Sequence, residues 1–175
     1  GPLLFSIFIN DMPFVLKRCN ITLYADDSTL YFAATKISEL KETLQLDLQV
    51  LLAWINENSL TLNVSKTKCM LFKARHKKCD DKLDIVLKDM DIEQVQEVKL
   101  LGVTFDEQLS WEKHVDTVVK KMGRNMSCIK RFRSFMTSAS RILVIKSLVL
   151  SHLDYCSVVW SGAAQKHLAK LQTAQ

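Results

Sequence analysis

Apolar residues recur along this chain with two different periods, and each period predicts a different kind of element. Over Ile37–Glu57 they fall at three- and four-residue steps, which predicts an amphipathic helix with Trp54 in the core. The charged residues of this helix, Asp47 among them, are expected on its solvated face. Residues 3–12 predict a short helix with apolar side chains on nearly every side, and such a helix is expected to be buried against a sheet.

Two runs of β-branched, aromatic and aliphatic residues predict a β-hairpin. They lie at 21–24 and 28–32, so Asp26 and Asp27 fall at the bend between them. Adjacent carboxylates repel each other, and a divalent cation such as Mg²⁺, which prefers carboxylate oxygens, would relieve that repulsion. A solvated turn that happens to carry two acids is the alternative interpretation.

The rest of the pattern divides the chain in two. Short strands are predicted at 60–64, 69–72, 83–87 and 98–105. From Trp111 onward the spacing becomes helical again, which predicts helices at about 111–129, at 139–155 and from 163. We therefore expect an α+β layer over residues 1–106 and a helical region over residues 107–175, packed closely because no Gly/Ser-rich linker separates them.

Composition narrows the class of protein without deciding its function. An apolar fraction of 48% with few Gly and Pro residues is typical of a globular chain, and no signal peptide or membrane span is visible. The odd number of cysteines, without regular spacing, favours a reducing compartment over a disulfide framework. Cys69, His76 and Cys79 could form part of a metal site, but no fourth ligand has zinc-finger spacing.

Four segments, met in order along the chain, resemble motifs of the reverse transcriptases. Tyr24-Ala25-Asp26-Asp27 resembles the Tyr-x-Asp-Asp signature, and residues 1–13 look like the tail of the preceding motif. Residues 63–72 are similar to the family's Asn-x-x-Lys-Thr segment, and residues 98–106 resemble its Leu-Gly primer-grip hairpin. Together they are far more specific than any one motif, and their character is that of non-LTR (LINE, jockey-like) retrotransposons.

The resemblance implies a fold and an activity. The fold is a polymerase palm, an antiparallel sheet with helices on one face, over residues 1–106, followed by a truncated helical thumb over residues 107–175. The activity is RNA-directed DNA synthesis with dNTPs, an RNA template and a DNA primer, using Mg²⁺ or Mn²⁺ in a two-metal reaction. It also implies an intracellular location, as a ribonucleoprotein of cytoplasm and nucleus, and no membrane partner is expected. Both ends look cut, so the fingers and a first palm strand with a third carboxylate are expected elsewhere, and the piece alone is expected to be inactive.

The resemblance also assigns catalytic roles. Asp26 would bind metal directly with Asp27 assisting, and Tyr24 would lie near the primer terminus. Lys66 would lie near the departing pyrophosphate, where a cation can stabilise developing charge or donate a proton. An ordinary turn lysine is the alternative interpretation of Lys66.

Nucleic-acid contacts are expected from the later part of the chain. Leu101 and Gly102 would let the backbone approach the primer, although a glycine in a β-bulge is the alternative. A cluster of basic residues on the first helix of the second part would bind the phosphates of the template–primer duplex. This basic cluster comprises Lys120, Lys121, Arg124, Lys130 and Arg131. Solvated surface is the alternative for the cluster, and the better interpretation of the basic loop at 75–78.

Two other functions are compatible with the same fold. One is a reverse-transcriptase-like maturase or RNA-binding relic, which needs the basic cluster but no polymerisation. The other is a decayed or domesticated piece that serves only as an interaction module. The intact pair Asp26 and Asp27, together with Lys66, argues against decay.

Overall fold

The computed structural model describes residues 1–74 and 82–174, and these form two compact units. The first unit contains the described residues up to Leu71 and from Lys82 to Val95. The second contains residues 72–74 and the chain from Gln96 onward. None of the described helices is long and apolar enough to cross a bilayer. The predicted basic loop at 75–78 lies outside the described residues.

The first unit combines helices with short strands, in keeping with the predicted α+β class. Strands β1 and β2 pair antiparallel, β4 and β5 do the same, and β3 runs parallel to β6. The elements are α1 (Pro2–Phe8), β1 (Asn20–Tyr24), β2 (Asp27–Tyr31), α2 (Ile37–Glu57), β3 (Lys68–Cys69), β4 (Val86–Leu87), β5 (Met90–Asp91) and β6 (Glu93–Gln94).

Helix α2 has the predicted bounds and is the central element of the first unit. Trp54 is buried, as predicted, in a cluster that also includes Ile21 and Leu23 of β1. A second row of α2 leucines packs against a separate cluster from the region of β4 to β6. The members of that cluster are Leu83, Ile85, Leu87 and Ile92. Each apolar stripe of the helix therefore holds a different group of strands in place.

The prediction that Asp47 lies on a solvated face of α2 is wrong. Its carboxylate is buried and accepts backbone N–H bonds from Arg18 at 2.9 Å, Cys19 at 2.7 Å and Lys17 at 3.4 Å. The segment leading into β1 covers this part of the helix, and its amides need an acceptor. Burial alone raises the pKa of the Asp47 carboxyl, but the three backbone donors outweigh it and hold that pKa below its ordinary value.

Two other predictions for the first unit fail. Helix α1 is shorter than predicted and has no buried residue; Leu3 and Leu4 are 74% and 71% exposed, because nothing in the described part of the chain covers them. Residues 60–64 do not form a strand. Instead, Asn63 accepts the Lys66 backbone N–H with its side chain at 3.2 Å and so closes a 3₁₀ turn.

The second unit is a hairpin followed by helices. The elements are β7 (Glu97–Leu100), β8 (Val103–Asp106), α3 (Glu112–Arg131), α4 (Ser138–Ile145), α5 (Ser151–Asp154), α6 (Ser157–Trp160) and α7 (Gln165–Ala174). A π-helical turn joins α4 to α5, so the helix predicted at 139–155 continues through a distorted turn. The predicted apolar stripe of α3 is confirmed, since Val115, Val118, Met122 and Ile129 form the core of this unit.

The hairpin β7–β8 belongs to the helical unit, so the structural division falls at Val95–Gln96 rather than near Asp106. Two contacts explain this. Val103 and Phe105 of β8 pack into the core around α3. Asp106 accepts the backbone N–H groups of Ser110 and Trp111, each at 3.0 Å, and thereby fixes the turn into α3.

Candidate catalytic hairpin and nucleic-acid interface

The β1–β2 hairpin places the two predicted catalytic acids at its tip. Tyr24 pairs with Asp27 as the last rung of the ladder, and Ala25 with Asp26 forms the two-residue turn. Ala25 has a φ of +51°, a left-handed conformation that is uncommon for a residue other than glycine. The tip therefore has a defined, mildly strained backbone without the Asn-Gly or Asp-Gly pair typical of such turns.

The tip of the hairpin is exposed while its base is anchored. Ile21 and Leu23 pack against the core of the first unit, whereas Tyr24 is 64% exposed and both carboxylates face solvent. In the part of the chain that the structure describes, neither the Asp26 nor the Asp27 carboxylate has an ion-pair or hydrogen-bond partner. Their oxygens are thus free to bind another group.

These two acids fit a divalent cation by donor chemistry and supply only part of a ligand set. Carboxylate oxygens are the ligands that Mg²⁺ and Mn²⁺ prefer. Within residues 1–74 and 82–174 there is no cluster of three or more His, Cys, Asp or Glu side chains that could hold a metal ion. His76 and Cys79, two of the three candidate zinc ligands, lie outside the described residues, and Cys69 is a half-buried free thiol.

Lys66 lies in the first unit, at the end of the 3₁₀ turn that follows α2. Its side chain is exposed, and its backbone is held by Asn63, whose carbonyl also accepts the Thr67 hydroxyl at 3.0 Å. The spacing Asn-x-x-Lys-Thr therefore has a local physical basis, which is a capped turn that fixes where the lysine leaves the backbone. The resemblance to the family singled out Lys66 and gave no indication of this role of Asn63.

Leu101 and Gly102 form the turn between β7 and β8, in the second unit. Both have left-handed backbones, with φ values of +46° and +85°. A Cβ at Gly102 would also lie 3.2 Å from Cε1 of Tyr155. These two constraints account for a glycine here without a nucleic acid, and the primer contact remains a prediction.

The basic cluster is solvent-exposed on α3. All five of its side chains are exposed, and none is within 4.0 Å of a carboxylate among the described residues. Asp116, the α3 carboxylate nearest to it in sequence, is already paired with Lys170 of α7. The cluster is therefore an unneutralised cationic surface of the kind that phosphate groups bind.

The structure thus places the predicted site residues in two groups. Tyr24, Asp26, Asp27 and Lys66 belong to the first unit, and Leu101, Gly102 and the basic cluster belong to the second.

Comparison with known families agrees with the motifs. The family model described as "Reverse transcriptase (RNA-dependent DNA polymerase)" matches residues 1–105, which include the hairpin tip, the capped lysine turn and most of β8. The chain belongs to this reverse transcriptase family. Members of the family generally use divalent metal ions.

Curated relatives extend the likeness to the second unit. The "RNA-directed DNA polymerase from mobile element jockey" of Drosophila funebris is 25% identical over 185 residues, and its Drosophila melanogaster counterpart is 26% identical over 186. Each match covers 100% of this chain and 20% of the relative, so the chain spans about a fifth of the length of these proteins. The predicted resemblance to jockey-like reverse transcriptases is confirmed. No solved structure gives a significant match.

Proposed function

We propose that this chain is the part of a retrotransposon RNA-directed DNA polymerase that contains the C-terminal part of the palm, with its pair of aspartates, and the thumb. The parent protein adds dNTPs to the 3′-OH of a primer on an RNA template. The hairpin tip carries this proposal, since it presents two adjacent carboxylates that have no partner in the described chain, next to an exposed tyrosine. Two adjacent carboxylates repel each other, and a bound divalent cation would relieve that repulsion.

In this proposal each group has a physical task. Asp26 and Asp27 would hold the divalent ions, which would supply Lewis-acid stabilisation of the primer hydroxyl and of the charge on the triphosphate. Tyr24 presents an exposed ring beside them, where a primer terminus can rest. Lys66 supplies a positive charge or a proton to the departing pyrophosphate. The basic cluster on α3 binds the phosphates of the duplex irrespective of sequence.

Primer extension on RNA by the complete parent protein tests this function. Asp26→Asn keeps the size of the side chain and removes its charge, and it should lower dNTP incorporation by roughly a hundredfold or more, since metal binding supplies several kcal/mol of transition-state stabilisation. Asp89→Asn is a matched control, because Asp89 is an exposed turn residue with a φ of +60°, a conformation that Asn tolerates.

The result can go either way. Extension by the wild type and Asp89→Asn proteins but not by Asp26→Asn would support the polymerase assignment. Equal incorporation by wild type and Asp26→Asn would refute the catalytic role of the hairpin. RNA binding without any extension by the wild type would instead favour a maturase or RNA-binding relic.

A further inference from the structure

The turn after α3 displays two phenylalanine rings in solvent. Phe132 follows the last residue of the helix and is 47% exposed, and Phe135 ends the next 3₁₀ turn and is 85% exposed. The Phe135 backbone N–H donates to the Phe132 carbonyl at 3.0 Å, so the two residues belong to one ordered turn. Two exposed rings in one turn form a small apolar patch, and a patch among charged residues points to a binding site more than a single exposed ring does.

The charge around this turn restricts what the partner can be. The rings alternate with basic residues in the sequence Arg131-Phe132-Arg133-Ser134-Phe135. From Thr117 to Leu153 the chain contains no Asp or Glu, and its basic residues are Lys120, Lys121, Arg124, Lys130, Arg131, Arg133, Arg141 and Lys146. Neither Arg131 nor Arg133 has a carboxylate within 4.0 Å among the described residues. A binding partner that matches the charge of this surface is therefore a polyanion.

Aromatic rings beside guanidinium groups fit unpaired nucleotides better than other polyanions. Each base has a π-face that stacks on a phenyl ring or on a guanidinium plane, and stacking tolerates any sequence. In a duplex the faces of the bases are already stacked on one another, so only single-stranded segments can use the rings. Anionic lipid also matches the charge, but proteins usually bind it through the apolar face of an amphipathic helix, whereas Phe135 lies in a three-residue 3₁₀ turn.

We propose that Phe132 and Phe135, with Arg131 and Arg133, form a stacking site for single-stranded nucleic acid at the end of the basic cluster. The proposal rests on the proposed function for the presence of nucleic acid, and adds that this end of the surface holds unpaired nucleotides rather than duplex. Phe135 is the principal contact because it is the more exposed of the two rings.

Fluorescence anisotropy with the 175-residue chain tests the site, using a labelled oligouridylate and a labelled blunt duplex as probes. Phe135→Ala should weaken binding of the single strand about tenfold, as expected for the loss of one stacked base, and should change duplex binding by less than about twofold. Because the ring is 85% exposed, its removal should leave the thermal midpoint unchanged, which circular dichroism checks.

Three further variants separate base stacking from a purely apolar contact. Phe135→Tyr keeps the ring and should bind like the wild type, whereas Phe135→Leu keeps only the apolar surface and should bind like Phe135→Ala. Leu143→Ala is the matched control, since Leu143 is a 68% exposed aliphatic residue in the same acid-free stretch. It should leave both affinities unchanged.

Several outcomes would overturn the proposal. These are unchanged single-strand affinity in Phe135→Ala, wild-type affinity in Phe135→Leu, or an equal loss for duplex and single strand. Loss of binding to phosphatidylserine vesicles with unchanged RNA affinity would assign the turn to a lipid surface instead. None of these measurements requires polymerisation, so failure of the primer-extension test and failure of this one are distinguishable.

Discussion

The Tyr155 hydroxyl donates a 2.6 Å hydrogen bond to the backbone carbonyl of Leu101, from a position 54 residues further along the chain. The same tyrosine ring lies where a side chain at Gly102 would project. The turn of the β7–β8 hairpin is therefore shaped by the C-terminal helices of its own unit. Together with the packing of Val103 and Phe105 around α3, this contact makes the hairpin part of the second unit, although the sequence pattern groups it with the first part of the chain.

Removing this bond should loosen the turn without unfolding the unit. We expect Tyr155→Phe to lower the free energy of unfolding by about 1 kcal/mol, since it removes one hydrogen bond and retains the ring. Urea denaturation measures this change. Hydrogen exchange of the peptide that contains Leu101 should speed up in the variant, and an unchanged exchange rate would show that the bond does not hold the turn.

Gly102→Ala should be more costly, at roughly 1–3 kcal/mol, because alanine resists a positive φ and its methyl group would crowd Tyr155. The cost should fall, but not vanish, in a Tyr155→Ala background, since only the crowding is relieved. Gly123→Ala is the control, because a Cβ at this helical position meets nothing within 4 Å and should stabilise α3. Equal costs of Gly102→Ala in both backgrounds would contradict the contact.

Asp47 gives the first unit a dependence on acid pH. Because its folded pKa lies below the unfolded value of about 4, its stabilisation is complete above that pH and is lost as the pH falls through the folded pKa. Asp47→Asn turns an amide N–H towards the donors of Arg18 and Cys19, and should cost about 2 kcal/mol at pH 7. Its stability should then change less as the pH falls below about 4 than that of the exposed control Asp91→Asn, which keeps the Asp47 carboxyl.

The long amphipathic helices could be predicted from the sequence. The segments whose backbone is held by a single side-chain acceptor could not. Periodicity located α2 and the stripe of α3 because such patterns determine which face is buried. It misplaced Asp47 and the strand at 60–64, because there the backbone is governed by a single acceptor, Asp47 in one case and Asn63 in the other. The hairpin tip was predictable because its flanking strands have a clear composition. The contact of Tyr155 with Leu101 has no signal in the sequence, since it joins distant segments.

His114 should make the second unit sensitive to pH in a different range. Burial, and secondarily the charge of Lys121, lower the pKa of this imidazole below its ordinary value, and its Nδ1 accepts the Thr104 backbone N–H at 3.2 Å. The unfolded chain then binds the proton more readily, so stability is full above about pH 6.5 and falls as the pH drops from there towards the folded pKa. His114→Asn retains an acceptor and should flatten that fall in a pH series of urea denaturations. A profile identical to that of the wild type would show that another group titrates.

The salt dependence of duplex binding measures how many phosphates the basic cluster contacts. Each contact contributes about 0.9 to the slope of log affinity against log salt, so Lys121→Gln with Arg124→Gln should reduce the magnitude of that slope by roughly 2. Both side chains are exposed and without an ion pair among the described residues, so the substitutions should not change stability. Lys166→Gln, an exposed residue of α7 outside the cluster, should leave the slope as it is in the wild type. A slope that is the same in all three proteins would mean that α3 is a solvated surface and that the duplex is bound elsewhere.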